Sequence, residues 1–221
     1  MLDWQQIDTL FLDMDGTLLD LHFDNYFWLE HLPQRYAATR GGSVDDAKRI
    51  IQAKTDSQAG TLNWYCLDYW SQELNVDIPT LKTEIEHLIQ FRPHVEDFLR
   101  ELKKTPHRVV LTTNAHEKSI AIKLRNTALA QYLDRIISSH DLGYAKEQPE
   151  FWEKLQQIEP FNKTRTALID DSLSVLRAAR QYGVAHLLAI RQPDSQQPPR
   201  EIDEFSVLDS FGDINPGGKR P

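Results

Sequence analysis

The strongest constraint on the fold is a regular alternation of short apolar runs with amphipathic segments along most of the chain. The apolar runs are continuous rather than alternating in polarity, which is typical of strands that are covered on both faces. They occupy residues 8–12, 108–112, 135–139, 166–169 and 186–190. Between them apolar residues recur every three or four positions, as they do in a helix. The alternation predicts an α/β protein with a doubly wound parallel sheet, in which ligands bind at the carboxyl ends of the strands.

One long stretch interrupts this alternation. Residues 21–92 contain no convincing strand, but Ser43 is followed by acidic residues, as at a helix start, and Pro79 marks the first turn of another helix. The sequence therefore predicts a helical cap domain over residues 21–92, inserted after the first strand. The α/β core is then formed by residues 1–20 and 93–221.

The end of the chain has a different composition. Beyond Ile190 the sequence is polar, and it contains Pro193, Pro198, Pro199, Pro216, Gly217 and Gly218. Such a composition is typical of segments that do not pack into a core. We therefore expect a loosely packed tail after the last strand.

Composition limits the kinds of partner. The 221 residues include 25 Lys and Arg against 33 Asp and Glu, a formal net charge of −8. This balance argues against nucleic acid, because proteins that bind it collect basic residues that displace counterions from the phosphates. A single cysteine, Cys66, cannot form an internal disulfide, and no apolar run approaches the roughly 18 residues of a membrane span. We expect a cytoplasmic protein that binds neither nucleic acid nor a membrane.

The first predicted strand ends in a pair of carboxylates. Asp13 and Asp15 are separated by one residue and are followed by Gly16. At the carboxyl end of a strand Asp13 points into the mouth of the sheet, and Asp15 can reach the same point from the following turn. The alternative is an ordinary turn in which Asp and Gly make local hydrogen bonds.

Polar groups also follow three other predicted strands. Thr113 and Asn114 come after the second, Lys146 lies seven residues past the third, and Asp170 and Asp171 come after the fourth. Taken singly, a hydroxyl or an acid in such a place is most often a helix cap, and an isolated lysine is usually solvated. Their joint arrangement at one edge of a parallel sheet favours a catalytic site.

In this order the motifs resemble those of the haloacid dehalogenase superfamily of phosphohydrolases, over about residues 7–190. The resemblance implies that Asp13 is the nucleophile and that Asp15 is the general acid and base. It also implies that Thr113, Asn114 and Lys146 bind the phosphate. The cofactor Mg²⁺ would be bound by Asp13, Asp15, Asp170 and Asp171. Many members carry a further acid three or four residues beyond the last pair, where this chain has Ser174 and Val175.

The implied reaction is the hydrolysis of a phosphomonoester through an aspartyl-phosphate on Asp13. A phosphate ester repels an attacking carboxylate, so cations such as Mg²⁺ and Lys146 are needed to neutralise the phosphoryl oxygens. Asp15 would protonate the leaving oxygen and then activate the water that hydrolyses the intermediate. The dehalogenases of the superfamily lack an acid at this second position, so Asp15 favours phosphate chemistry.

The insert carries the information about substrate. Its aromatic-rich segments, residues 19–28 and 62–70, resemble those of superfamily members that hydrolyse GMP and IMP, which implies a purine 5′-nucleotidase. Aromatic rings can stack on a base, but their spacing in the second segment also fits simple packing of one helix face. Asn25, Asn63 and Asp68 are the polar residues predicted to contact the base.

Two other interpretations stay open. One is a phosphatase of another small ester, such as phosphoglycolate or a sugar phosphate. The other is a phospho-accepting signalling domain, because receiver domains use the same residue types on a parallel sheet. In receivers, however, the acidic pair comes first and the accepting Asp follows on a later strand, whereas here Asp13 and Asp15 open the chain and the pair Asp170 and Asp171 comes last. His22 and His116 are lone histidines near the motifs, and we expect neither to bind a metal.

Overall fold

A parallel sheet forms the centre of the protein. The structure is a computed structural model, and it describes residues 2–214 and 216. The strands are β1 (Thr9–Leu12), β2 (Arg108–Thr113), β3 (Arg135–Ser138), β4 (Thr166–Asp170), β5 (His186–Ile190) and β6 (Ser206–Leu208). Their order is β3-β2-β1-β4-β5-β6, and each pair of neighbours is parallel. The predicted doubly wound α/β fold is confirmed.

The strand order reverses at β1, which lies between β2 and β4. Leu12 at the end of β1 pairs with Leu111 on one side and with Ile169 on the other. The carboxyl ends of the three strands are therefore level, and the polar residues that follow them meet at one edge. A crevice at such a reversal of strand order is where doubly wound sheets bind ligands.

Helices cover both faces of the sheet. In the insert they are α1 (His22–Tyr26), α2 (Leu32–Arg40), α3 (Val44–Asp56), α4 (Leu62–Tyr65), α5 (Leu67–Leu74) and α6 (Ile78–Thr83), with a π-helical turn at Phe27–His31. The others are α7 (Val95–Leu102), α8 (Glu117–Asn126), α9 (Ser139–Leu142), α10 (Pro149–Ile158) and α11 (Leu173–Tyr182). Short 3-10 turns lie at Trp4–Gln6, Glu86–Leu88, Leu129–Tyr132, Lys163–Arg165 and Phe211–Asp213.

The helix boundaries follow the local sequence signals. The Ser43 side chain accepts a hydrogen bond from the backbone of Asp46 and caps α3, as predicted. Gly183 ends α11 with a φ of 103°, in the left-handed region that favours glycine. The helix predicted around Pro79 is the short helix α6. It ends at Thr83, and a 3-10 turn follows it.

Two apolar layers enclose the sheet. Leu10 and Leu12 of β1 pack on the side that also holds the insert, and Phe11 packs on the opposite side with Phe151 and Trp152. Because successive residues of a strand point to opposite faces, both faces of β1 are buried, which explains its continuous apolar sequence. Apolar side chains of the insert belong to the same cluster as the first face: Phe23, Phe27, Leu32, Leu67, Trp70, Leu74 and Ile78.

The prediction of a loosely packed tail is wrong for residues 206–214. Residues 206–208 form β6 beside β5, and Leu208, Phe211 and Ile214 are each no more than 3% exposed. The strand was missed because it is only three residues long and follows a polar, proline-rich segment. Gly217 and Gly218 lie outside the described residues. Within the described ranges no helix is both long enough and apolar enough to cross a membrane.

Candidate active site

A cavity of about 880 Å³ opens at the carboxyl ends of β1, β2 and β4 and extends between the helices of the insert. The core contributes polar and charged residues to its lining: Asp13, Asp15, Thr113, Asn114, Lys146, Asp170 and Asp171. The insert contributes mainly aromatic and polar residues, among them Asn25, Trp28, Gln52, Thr55, Trp64, Tyr65 and Trp70. The structure thus brings together every predicted core residue of the site.

Lys146 lies at the bottom of the cavity. Its Nζ donates hydrogen bonds to Asp13 Oδ1 at 2.6 Å, to Asp170 Oδ2 at 2.7 Å and to the Thr112 carbonyl at 2.9 Å. Burial disfavours its ammonium form, but the two carboxylates outweigh this effect and raise the pKa of Lys146. Lys146 is therefore a fixed positive charge beside Asp13.

Three carboxylates around this lysine form a candidate metal site. Asp13, Asp170 and Asp171 each offer an oxygen, and these atoms lie within 4.8 Å of one another. Burial raises the pKa of Asp13 to about 6, because Lys146 opposes it only in part. Burial, followed by the charges of Asp13 and Asp170, raises the pKa of Asp171 well above its usual range. An oxygen donor set with an excess of negative charge is what Mg²⁺ binds, so these residues fit that ion.

Gly16 allows the loop after β1 to approach Asp171. Its φ is +80°, and a Cβ placed on it would lie 2.8 Å from Cγ of Asp171 and 3.0 Å from Cβ of Pro193. Any side chain here would clash with the carboxylate and strain the backbone. Glycine is therefore required by the close approach of Asp171 as well as by the turn.

Asp15 is held by a chain of charges that reaches into the insert. Lys123 Nζ, on α8, donates to Asp15 Oδ1 at 2.6 Å and to Asp24 Oδ2 at 2.7 Å. Asp24, on α1, in turn accepts from Lys82 Nζ, on α6, at 2.6 Å. Burial raises the pKa of Asp15 to about 6, with Lys123 opposing this and Asp24 adding to it. A carboxyl whose pKa lies near the pH of a neutral solution is suited to both give and take a proton.

A second chain of hydrogen bonds links Lys146 to the insert. Asn114 Oδ1 accepts from the backbone of Lys146 at 2.9 Å, and its Nδ2 donates to Glu147 Oε2 at 3.0 Å. The other oxygen of Glu147 accepts from the Tyr65 hydroxyl, on α4, at 2.8 Å. The Asn114 side chain thus positions the Lys146 loop, and its part in phosphate binding stays a prediction. Thr113 Oγ1 accepts from the backbone of Ala115 at 3.0 Å and faces the cavity.

The predicted base-contacting residues have different locations. Asn25 lines the cavity, where its Nδ2 donates to Asp194 Oδ2 at 2.7 Å. Asn63 and Asp68 do not belong to the lining, contrary to expectation. Asn63 is exposed and donates to Gln58, and Asp68 pairs with Lys118 of α8. From this segment Trp64, Tyr65 and Trp70 line the cavity instead.

Sequence reasoning missed the charged partners of Asp15. Lys123 stands on the apolar side of α8 with Ile120, and it is only 1% exposed. A buried lysine requires a carboxylate partner, so a lysine at an apolar position of the predicted helix could have indicated a buried ion pair. Lys82, also 1% exposed, gave a similar signal in α6. Nothing in the sequence showed that both reach Asp24.

The chain matches the family model of haloacid dehalogenase-like hydrolases over residues 10–189, and it belongs to this family of enzymes. The expected superfamily is therefore confirmed. Over 213 residues, 96% of each chain, it is 38% identical to the GMP/IMP nucleotidase YrfG of Escherichia coli (strain K12). Over 177 residues, 76% of each chain, it is 20% identical to the pyrophosphatase PpaX of Bacillus mycoides (strain KBAB4).

Solved structures show the same fold. A HAD phosphatase from Thermococcus onnurineus superposes with a TM-score of 0.77 at 18% identity, covering 94% of this chain and 95% of the other. The HAD-hydrolase YfnB from Bacillus subtilis bound to magnesium superposes with a TM-score of 0.59 at 18% identity, covering 94% and 96%. At this level of identity the similarity establishes the architecture alone.

Proposed function

We propose that this hydrolase is an Mg²⁺-dependent phosphomonoesterase that acts on purine nucleoside 5′-monophosphates, GMP and IMP in particular. The observation that carries the chemistry is the pairing of Asp13, held by Lys146 at 2.6 Å, with a second carboxyl, Asp15, whose pKa is raised to about 6. A nucleophile beside a proton donor is needed to break a phosphate ester, whereas displacement of halide from carbon needs no such acid.

In the first half-reaction Asp13 attacks phosphorus. Lys146 holds Asp13 Oδ1, so we propose that Oδ2 forms the new bond to phosphorus. Mg²⁺ would be held by Asp13, Asp171 and the backbone carbonyl of Asp15, with Asp170 acting through water, and it would neutralise charge on the phosphoryl oxygens. As the ester bond to phosphorus breaks, Asp15 transfers its proton to the leaving oxygen.

In the second half-reaction Asp15 acts as a base. Its carboxylate takes a proton from a water molecule, whose oxygen attacks the aspartyl-phosphate. The bond between phosphorus and Asp13 breaks, inorganic phosphate leaves, and both carboxyl groups return to their starting states. Thr113 and Lys146 line this end of the cavity and would bind the phosphoryl oxygens.

We propose that residues 21–92 form the cap over this site and bind the nucleoside. The cavity of about 880 Å³ extends well past the carboxylates, and pockets for drug-sized ligands occupy about 300–1,000 Å³. Trp28 and Trp64 offer faces on which a base can stack, and the Gln52 amide can read its edge. The 38% identity to a GMP/IMP nucleotidase over 96% of both chains supports a purine.

A substrate panel tests the proposal. Phosphate release is measured with GMP, IMP, pyrimidine monophosphates, sugar phosphates and phosphoglycolate, each with Mg²⁺ and with EDTA. We expect metal-dependent release that is fastest with GMP and IMP. Release confined to sugar phosphates or phosphoglycolate would contradict the nucleotide assignment and keep the chemistry. A phosphate that stays on Asp13 for hours without turnover would favour a signalling domain instead.

A further inference from the structure

A second group of metal-binding side chains lies apart from the carboxylates, where the insert meets the core. Cys66, His116 and His140 each offer a donor atom, and the thiol sulfur and the imidazole nitrogens lie within 4.8 Å of one another. They come from separate elements, because Cys66 caps α5, His116 caps α8 and His140 belongs to α9. Their convergence results from the tertiary fold and is not a local sequence motif.

Two of these donors each accept one backbone hydrogen bond as helix caps. Cys66 Sγ accepts from the backbone of Tyr69 at 3.4 Å, and His116 Nδ1 accepts from the backbone of Lys118 at 3.4 Å. The rings of His116 and His140 meet edge to face, with 5.0 Å between their centroids. The donors are thus close together, and the hydrogen bond to His116 is a long one.

His140 supplies an independent indication of a ligand. Its Nε2 is buried and has no hydrogen-bond partner among the residues that the structure describes. Folded proteins normally pair such atoms, so an unpaired one requires an explanation. A metal bond to His140 would satisfy this nitrogen. The carboxylate of Asp68, which also pairs with Lys118, lies beside the group, with Oδ2 3.9 Å from His116 Nε2.

We propose that Cys66, His116 and His140 form a binding site for a thiophilic divalent metal ion, best matched by Zn²⁺. One thiolate and two imidazoles suit Zn²⁺, whereas Mg²⁺ prefers oxygen ligands. Tetrahedral bonds of about 2.3 Å to sulfur and about 2.0 Å to nitrogen place donors roughly 3.5 Å apart. Separations within 4.8 Å therefore require side-chain shifts on the order of 1 Å. A fourth position stays open for water.

Binding at this site would fasten the insert to the core. Tyr65, which precedes Cys66, lines the cavity and donates to Glu147. A metal that joins Cys66 to two core histidines would fix this wall of the cavity. The prediction for His116 changes accordingly: it lies near the motifs without serving the carboxylate site, and it belongs to a separate metal site.

Co²⁺ is the spectroscopic probe, and excess Mg²⁺ occupies the carboxylates during the titration. The intact, reduced protein is titrated with Co²⁺ and then with Zn²⁺, whose affinity is measured by calorimetry. We expect one equivalent of Co²⁺ to produce a sulfur-to-metal charge-transfer band, and Zn²⁺ to displace it. Loss of a supporting residue alone weakens metal sites about 10–100-fold, so removing a ligand should weaken Zn²⁺ binding by at least about 100-fold.

Single substitutions decide between this site and the carboxylates. Cys66→Ser should abolish the charge-transfer band, and His140→Gln should weaken Zn²⁺ binding without unfolding the protein, since it alters a single half-buried side chain. His87→Gln, at an exposed position outside the group, is the matched control and should change neither. Co²⁺ binding without a sulfur band, or unchanged Zn²⁺ affinity in both variants, would overturn the proposal and place these ions at the carboxylates.

Discussion

Replacing Lys123 with methionine tests the proposed acid and base role of Asp15. Methionine keeps most of the buried stem but removes the ammonium that donates to Asp15 Oδ1 at 2.6 Å. Burial has already raised the pKa of Asp15 to about 6, and Lys123 is the largest influence opposing that rise. A charge this close changes the proton affinity of a carboxyl by roughly 10–1,000-fold, or about 1.4–4 kcal/mol. Without Lys123 the proton should therefore stay on Asp15 at higher pH.

The assay is the pH dependence of kcat/KM for GMP at saturating Mg²⁺. Turnover falls on the alkaline side as Asp15 loses the proton that the leaving oxygen needs, so in Lys123→Met this limb should move to higher pH. Lys123→Arg keeps the charge and should restore the wild-type profile. Lys82→Met removes the partner of Asp24 and should shift the limb less, because Lys82 bonds to Asp24 and not to Asp15. An unshifted alkaline limb in a folded Lys123→Met protein would refute the assignment of Asp15.

Three further outcomes follow from the structure. Asp13→Asn should abolish phosphate release and leave the circular dichroism spectrum unchanged, because the near-isosteric amide cannot form the acyl-phosphate; substantial residual activity would exclude Asp13 as nucleophile. Since the pKa of Asp13 is raised from 3.8 to about 6 in the folded state, the metal-free protein should lose stability as the pH rises through this window. Thermal unfolding in EDTA should show this loss of stability, and Mg²⁺ should reverse it. A stabilisation by Mg²⁺ that does not grow as the pH rises would contradict this prediction. Phe211→Ala should destabilise the protein by about 3–5 kcal/mol in denaturant unfolding, because Phe211 is 2% exposed; a loss below about 1 kcal/mol would remove this segment from the core.

The central strands could be predicted from sequence because strands buried on both faces consist of continuous runs of apolar residues. Leu10 and Phe11 are adjacent in sequence and belong to different apolar layers, so apolar residues follow one another directly in β1. β6 has no such continuous apolar run. It is three residues long, it pairs at the edge of the sheet with β5, and its first residue, Ser206, is exposed.

The same distinction applies to the candidate site. Asp13, Thr113 and Asp170 were predictable because parallel strands of equal register deliver the residues that follow them to one edge. The partners from the insert were not, since their positions depend on how irregularly joined helices pack. Asn63 and Asp68 are examples: both belong to an aromatic segment from which Trp64, Tyr65 and Trp70 line the cavity, but neither of the two lines it.

The position of the insert and the chemistry of Asp15 are physically coupled. Burial and the charges of Asp24 and Asp13 raise the pKa of Asp15 above its usual range. The first two depend on the insert, because α1 carries Asp24 and the insert helices line the cavity over Asp15. With the insert withdrawn, Asp15 would be solvated and would lose the charge of Asp24, so its pKa would fall below about 6 and a smaller fraction of it would hold a proton at neutral pH. An ionised Asp15 cannot protonate a leaving oxygen. Closure of the insert over a substrate would therefore raise the fraction of Asp15 that holds the proton needed by the leaving oxygen, and it would exclude water from the first half-reaction.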